Sequence, residues 1–121
     1  MKAYKLFRKM KDGDGYAYAP LFIDATLRLK LGETHQCKTD LEKKGFARRV
    51  GWHGCFICFA PHLSLHPKNG AERVWVEVET SGWMKTYDRP ESQGGKWFTC
   101  EAITLLRELT PEQVKQVIES Y

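Results

Sequence analysis

The run Arg73-Val74-Trp75-Val76-Glu77-Val78-Glu79 constrains the fold more than any other part of the chain. Valine recurs at every second position, with Trp75, Glu77 and Glu79 between. A helix, turning about 100° per residue, would scatter those valines around its circumference, whereas an extended strand puts all three on one face. β-Branched side chains favour the extended form as well. Residues 71–80 are therefore expected to be a strand with an apolar face toward a core and a second face carrying two carboxylates.

The same period of two recurs along the chain. Residues 3–10 place Tyr4, Leu6 and Arg8 on one face and Lys5, Phe7 and Lys9 on the other. Lys11-Asp12-Gly13-Asp14-Gly15 reads as a turn, because Asp-Gly pairs suit positive-φ positions. Tyr16 to Ile23 returns as a second strand interrupted by Pro20, and Thr26 to Leu31 alternates strictly until Gly32. Residues 33–44 are polar and predict a loop or a poor helix. Tyr87 to Lys96 is expected to be a loop around Pro90 and Gly94-Gly95, with Trp83 and Trp97 anchoring it in the core. Trp97 to Leu109 reads as a long, bent strand.

The last element has helix signals. Thr110 suits the cap, Pro111 the first helical position, and Gln113 completes a T-x-x-Q capping box. Leu109 and Val114 sit where a hydrophobic staple packs, and Val114, Val117, Ile118 and Tyr121 form one apolar stripe. The expectation is an α+β fold, a mostly antiparallel twisted sheet with one C-terminal helix, in a single domain over 1–121. At this size a chain buries roughly two-thirds of its unfolded surface, enough for one core. Six Phe, five Tyr and four Trp argue against disorder. No apolar run approaches the roughly 20 residues of a membrane span, and the N-terminus lacks the apolar stretch of a signal peptide. A cytoplasmic protein with no membrane partner is the expectation.

Net charge is +4, placed unevenly: residues 1–50 hold twelve Lys and Arg against six Asp and Glu. A basic half attracts phosphate-rich partners. Here, however, the cations are interleaved with acids and form no dense arm, so nucleic acid is a weak partner candidate, with a nucleotide possible. Four cysteines, at 37, 55, 58 and 100, are expected as free thiols in a reducing compartment. His53, Cys55, Cys58, His62 and His66 lie within fourteen residues and contain both halves of a Cys2His2 pattern. Only three residues separate the Cys55/Cys58 pair from the His62/His66 pair, where fingers use about a dozen. No cofactor is therefore expected, and zinc on Cys55, Cys58, His62 and His66 is the alternative.

Four ordered motifs remain: Lys44-Gly45-Phe46-Ala47-Arg48-Arg49-Val50-Gly51-Trp52-His53, Ala60-Pro61-His62-Leu63, Arg73 to Glu79, and Arg89-Pro90-Glu91-Ser92-Gln93-Gly94-Gly95. In this order they resemble a family of small, uncharacterised proteins encoded by phages and prophages of gut-type bacteria. The likeness covers nearly all of the chain up to Trp97 and implies an accessory protein in a bacterial host cell, with no assigned activity. That family often has Pro at the place of Cys58 and needs no cysteine at 55, which counts further against zinc. A more distant likeness is to ADP-ribosyltransferase-like folds, on Arg8, Gly51-Trp52-His53 and Glu77 or Glu79 in that order. It implies a cation holding a dinucleotide, an aromatic ring on nicotinamide and a carboxylate beside the ribose. The Ser-Thr-Ser motif of those enzymes is absent.

The candidate ligand-binding residues are Arg8, Trp52, His53, His62, Glu77, Glu79, Arg89, Glu91 and Gln93. Imidazole titrates near neutral pH, and Arg grips a carboxylate or phosphate with two parallel bonds. The absence of a nucleophile–base set, a P-loop or a dinucleotide fingerprint favours a non-enzymatic protein binding a host or phage macromolecule. A nucleotide-binding or ADP-ribosyltransferase-like protein using Arg8, His53, His62 and Glu77 is the alternative.

Overall fold

The computed structural model describes residues 1–21, 27–37, 51–60 and 72–120. Six strands occur among them: β1 (Lys2–Asp12), β2 (Gly15–Ala19), β3 (Thr34–Gln36), β4 (Trp52–Cys55), β5 (Arg73–Tyr87) and β6 (Trp97–Glu108). A 3-10 turn spans Glu91–Gln93, and one helix, α1, spans Pro111–Ser120. β1 and β2 form a hairpin closed by a two-residue turn between Asp12 and Gly15. Gly13 holds φ at 62° there, a value most side chains avoid.

All strand pairings among the described residues are antiparallel, and the sheet closes on itself. β5 pairs with β1 along seven residues from Lys2↔Glu79 to Arg8↔Arg73, and with β6 on its other side. β4 bridges the gap, meeting β6 from Trp52↔Cys100 to Cys55↔Trp97 and β1 at Tyr4↔Cys55. The ring β1-β4-β6-β5 is a small barrel, with β2 and β3 appended to β1 and β6. The expected mostly antiparallel sheet with one C-terminal helix is present, and the twisted sheet takes the particular form of a small closed barrel. Irregularities between Glu77 and Val78 and between Ser81 and Met84 break the long β5–β6 ladder, and such bulges sharpen the twist that closure needs.

The alternation places side chains as the sequence implies. Ala3, Phe7, Val76, Val78, Phe98, Cys100, Ile103 and Leu105 form the inner core with Tyr18 and Leu29. Gly54 lies opposite Phe98 in the β4–β6 ladder, and a Cβ on it would collide with the Phe98 ring. The reverse face of β1 and β5 is covered too: Leu6, Trp75 and Leu109 are buried with Cys58 and Ala60, and Val114 and Val117 of α1 pack against them. The capping box forms as expected, with Thr110 N–H donating to Gln113 Oε1 at 2.9 Å and Gln113 N–H to Thr110 Oγ1 at 3.2 Å. Ile118 is 41% exposed, so among the described residues of the stripe the packing falls on Val114 and Val117; Tyr121 lies outside the described residues.

Three local expectations are corrected. The strand expected over 26–31 is reduced, among its described residues, to one bridge, Tyr18↔Leu29. Lys30 N–H donates to Glu33 Oε1 at 3.0 Å and Glu33 N–H to Lys30 O at 3.3 Å, a local turn that competes with a ladder. Within the polar stretch 33–44, Thr34–Gln36 is a strand, drawn out by pairing with β6. β5 runs on through Ser81 to Tyr87, past the alternating segment. The second strand ends at Ala19, just before Pro20; Phe22 and Ile23 lie outside the described residues.

Candidate functional site

The registers of β4, β5 and β6 assemble two short rows on the outer face of the barrel. Trp97 has Cys55 on one side and Tyr87 on the other; two residues along, Thr99 lies between His53 and Lys85. Residues two apart on a strand share a face, so these six side chains point the same way. Trp97 stacks with Tyr87 at 4.6 Å between ring centroids and 26° between planes. His53 tilts against Trp97 at 5.1 Å. Tyr87 Oη lies 3.4 Å from Thr99 Oγ1, and Thr99 is fully buried beneath these neighbours. Trp83 leans over the next position: a Cβ on Gly51, whose φ is 114°, would stand 2.7 Å from its ring. The expected core anchoring by Trp83 and Trp97 is thereby corrected, since Trp83 is 37% exposed and Trp97 lies on the outer face.

Arg89 locks the following loop onto this face. Its Nε donates to Gly95 O at 2.9 Å, its Nη2 to Cys55 Sγ at 3.4 Å, and its guanidinium carbon lies 6.0 Å from the Trp97 centroid. Gly94 permits that approach, having φ 103° and a Cβ position that would collide with Phe59 O. On the other side of β1, Lys5 turns inward between Ala3 and Phe7. Although Lys5 keeps some accessible surface, its ammonium is enclosed by protein and donates to His53 O at 2.8 Å. Burial pushes this amine down to about 8, against a smaller opposing influence from Cys55 and Cys100. Burial likewise raises Cys100 to about 11 and Cys58 to about 12.

Of the sequence candidates, the fold brings His53 and Arg89 together around Trp97. The others are dispersed. Arg8 sits opposite Arg73, four residues along β1 from the Tyr4↔Glu77 pair, which is roughly 13 Å of strand. Trp52 packs against the inner core and donates its indole N–H to His35 O at 3.0 Å. Glu77 is 7% exposed, on the face shared with Tyr4, and pairs with Arg107 at 3.3 Å. Burial, with the Glu77 charge next, raises the Tyr4 phenol. Glu79 pairs with the N-terminal ammonium at 2.8 Å. Glu91 and Gln93 belong to the 3-10 turn, with Gly94 N–H donating to Glu91 O at 2.9 Å. His62 and His66 lie outside the described residues, so the alternative zinc set is described only at Cys55 and Cys58. Among the described residues, no three His, Cys, Asp or Glu side chains group closely enough to hold a metal.

Sequence reasoning passed over Lys5, Tyr87, Trp97 and Thr99 as site residues. A signal existed for two of them, since Tyr87 and Trp97 flank the Arg89–Gly95 loop like a pair of jaws. Compared with known protein families, curated proteins and solved structures, the chain matches none of them. No helix among the described residues is long and apolar enough to cross a membrane.

Proposed function

We propose that this is a phage- or prophage-type accessory protein that binds a host or phage macromolecule through the face built by β4, β5, β6 and the Arg89 loop. The supporting observation is the Tyr87–Trp97–His53 stack held against Arg89, with Trp83 and Lys85 on the same side. Trp, Tyr and Arg are the residue types that most often dominate binding energy, because they offer large rigid surface and directed hydrogen bonds. Further support is the spacing of the other reading's residues: Arg8 stands far along β1 from Glu77, and both Glu77 and Glu79 are already ion-paired. Nucleotide binding is the second reading, favoured by the same stack, since a nucleobase can join an aromatic–guanidinium assembly.

A thermal-shift screen separates the two. Wild type, Tyr87→Ala and Arg89→Ala are melted with NAD⁺, ADP-ribose, linear and cyclic nucleotides and short nucleic acids, and in parallel used as bait in a bacterial lysate. Macromolecule binding predicts no small-nucleotide shift and a retained species that both variants lose. A ligand at 100 times its Kd adds about 2.7 kcal/mol. Such a shift with a nucleotide, lost in both variants, overturns the first reading for the second.

A further inference from the structure

Cys55 and Cys58 lie in the 55–60 segment, which meets the Arg89 loop through the Arg89–Cys55 hydrogen bond and the approach of Gly94 to Phe59 O. Cys55 closes β4, residues 56–58 bend, and both cysteines are packed into the cluster of Leu6 and Trp75. A bend of this length can bring positions i and i+3 within the roughly 7 Å that a disulfide tolerates. The two thiols differ in surroundings. Cys55 is half-buried and accepts a hydrogen bond from the Arg89 guanidinium at 3.4 Å, while Cys58 is 3% exposed.

We propose that Cys55 and Cys58 are a reversible dithiol that a low-molecular-weight disulfide oxidises, and that this oxidation releases the Arg89 loop from β4. Cys55 is the attacking sulfur, since it is the accessible one and has a cationic hydrogen-bond donor. As its thiolate it attacks one sulfur of oxidised glutathione, forming a mixed disulfide; the departing glutathione thiolate takes up the proton. Cys58 then gives up its own proton and attacks the Cys55 sulfur, expelling the second glutathione. The protein loses two electrons and two protons, and one oxidised glutathione becomes two reduced molecules. A disulfide sulfur is a poor acceptor, so Arg89 Nη2 loses its partner. The bend also moves Phe59, whose carbonyl packs against Gly94, so the loop is loosened at both of its contacts with the 55–60 segment.

The test is titration of native wild-type protein with oxidised and reduced glutathione, followed by proteolysis and mass mapping without reduction. The expected product is a Cys55–Cys58 disulfide, about 2 Da lighter than the dithiol, reversed by excess reduced glutathione. Protease cleavage between 88 and 96 should accelerate in the oxidised form. Cys58→Ala should stop at the Cys55 mixed disulfide, Cys55→Ala should form neither product, and Arg89→Gln should slow the first step roughly tenfold. Four results would each overturn the proposal: a Cys37–Cys100 bridge in place of the Cys55–Cys58 one, a mixed disulfide that wild-type Cys58 never resolves, thiols that stay unreacted while folded, or a loop unchanged by oxidation. The mapping uses wild-type protein, so a variant that fails to fold does not spare the proposal.

Discussion

Replacing Lys5 with methionine isolates the energetic cost of putting an ammonium inside the barrel. In the folded chain this amine titrates near 8 because burial disfavours its charged form, against an ordinary value of 10.5. Below pH 8 the amine is protonated in both folded and unfolded chains, and folding bears the whole desolvation penalty. Between 8 and 10.5 the unfolded chain holds a proton that the folded chain has shed, so stability rises with pH. Above 10.5 the penalty is gone. The 2.5-unit difference corresponds to about 3 kcal/mol. Lys5→Met keeps a flexible side chain of similar length and removes the charge, although it leaves His53 O without its donor, a pH-independent loss of about 1 kcal/mol. Urea unfolding of both proteins at pH 7 and pH 10 reads the result. Wild type should gain about 2–3 kcal/mol on the variant over that interval, while the Tyr18 phenol is present in both. A wild-type-minus-variant difference that stays flat with pH would refute the enclosed ammonium.

Gly54→Ala should be severely destabilising, by about 2–3 kcal/mol in chemical denaturation, because its Cβ collides with Phe98 in the middle of the closing ladder. Arg107→Ala should cost about 1–2 kcal/mol in the same assay, since it strips a buried carboxylate of a half-exposed partner; Glu77→Gln in that background should recover much of the loss. Thr110→Ala should cost about 1 kcal/mol and selectively speed amide exchange in the first turn of α1, where the capping box satisfies the free N–H groups.

The sequence made legible those elements whose local pattern and tertiary environment agree. The alternation of Val74, Val76 and Val78 is the inner face of β5, and the Thr110–Gln113 box starts α1 where expected. Barrel closure was illegible because it depends on Trp52–Cys55, four residues with no apolar alternation, whose Gly54 contributes by lacking a side chain. Lys30 and Glu33 show the converse, a clean alternation overridden by a local turn. At the site, His53 and Arg89 stood out by residue type. Their meeting at Trp97, with Tyr87 and Cys55 as flanking neighbours, follows from strand registers; the β4–β6 register links residues more than 40 positions apart. Parity puts Lys5 on the strand face of Phe7, but nothing local marks that face as the inside of a closed ring.

The proposed partner surface is the outer face of β4, β5 and β6. Amide hydrogen exchange of the free protein and of its complex with the species retained from a bacterial lysate tests this most directly. Slowed exchange should be concentrated in 52–55, 83–89 and 96–99, with Arg89→Ala abolishing both the complex and the footprint. Slowed exchange confined to β2 or to the exposed side of α1, with the outer face unchanged, would contradict it.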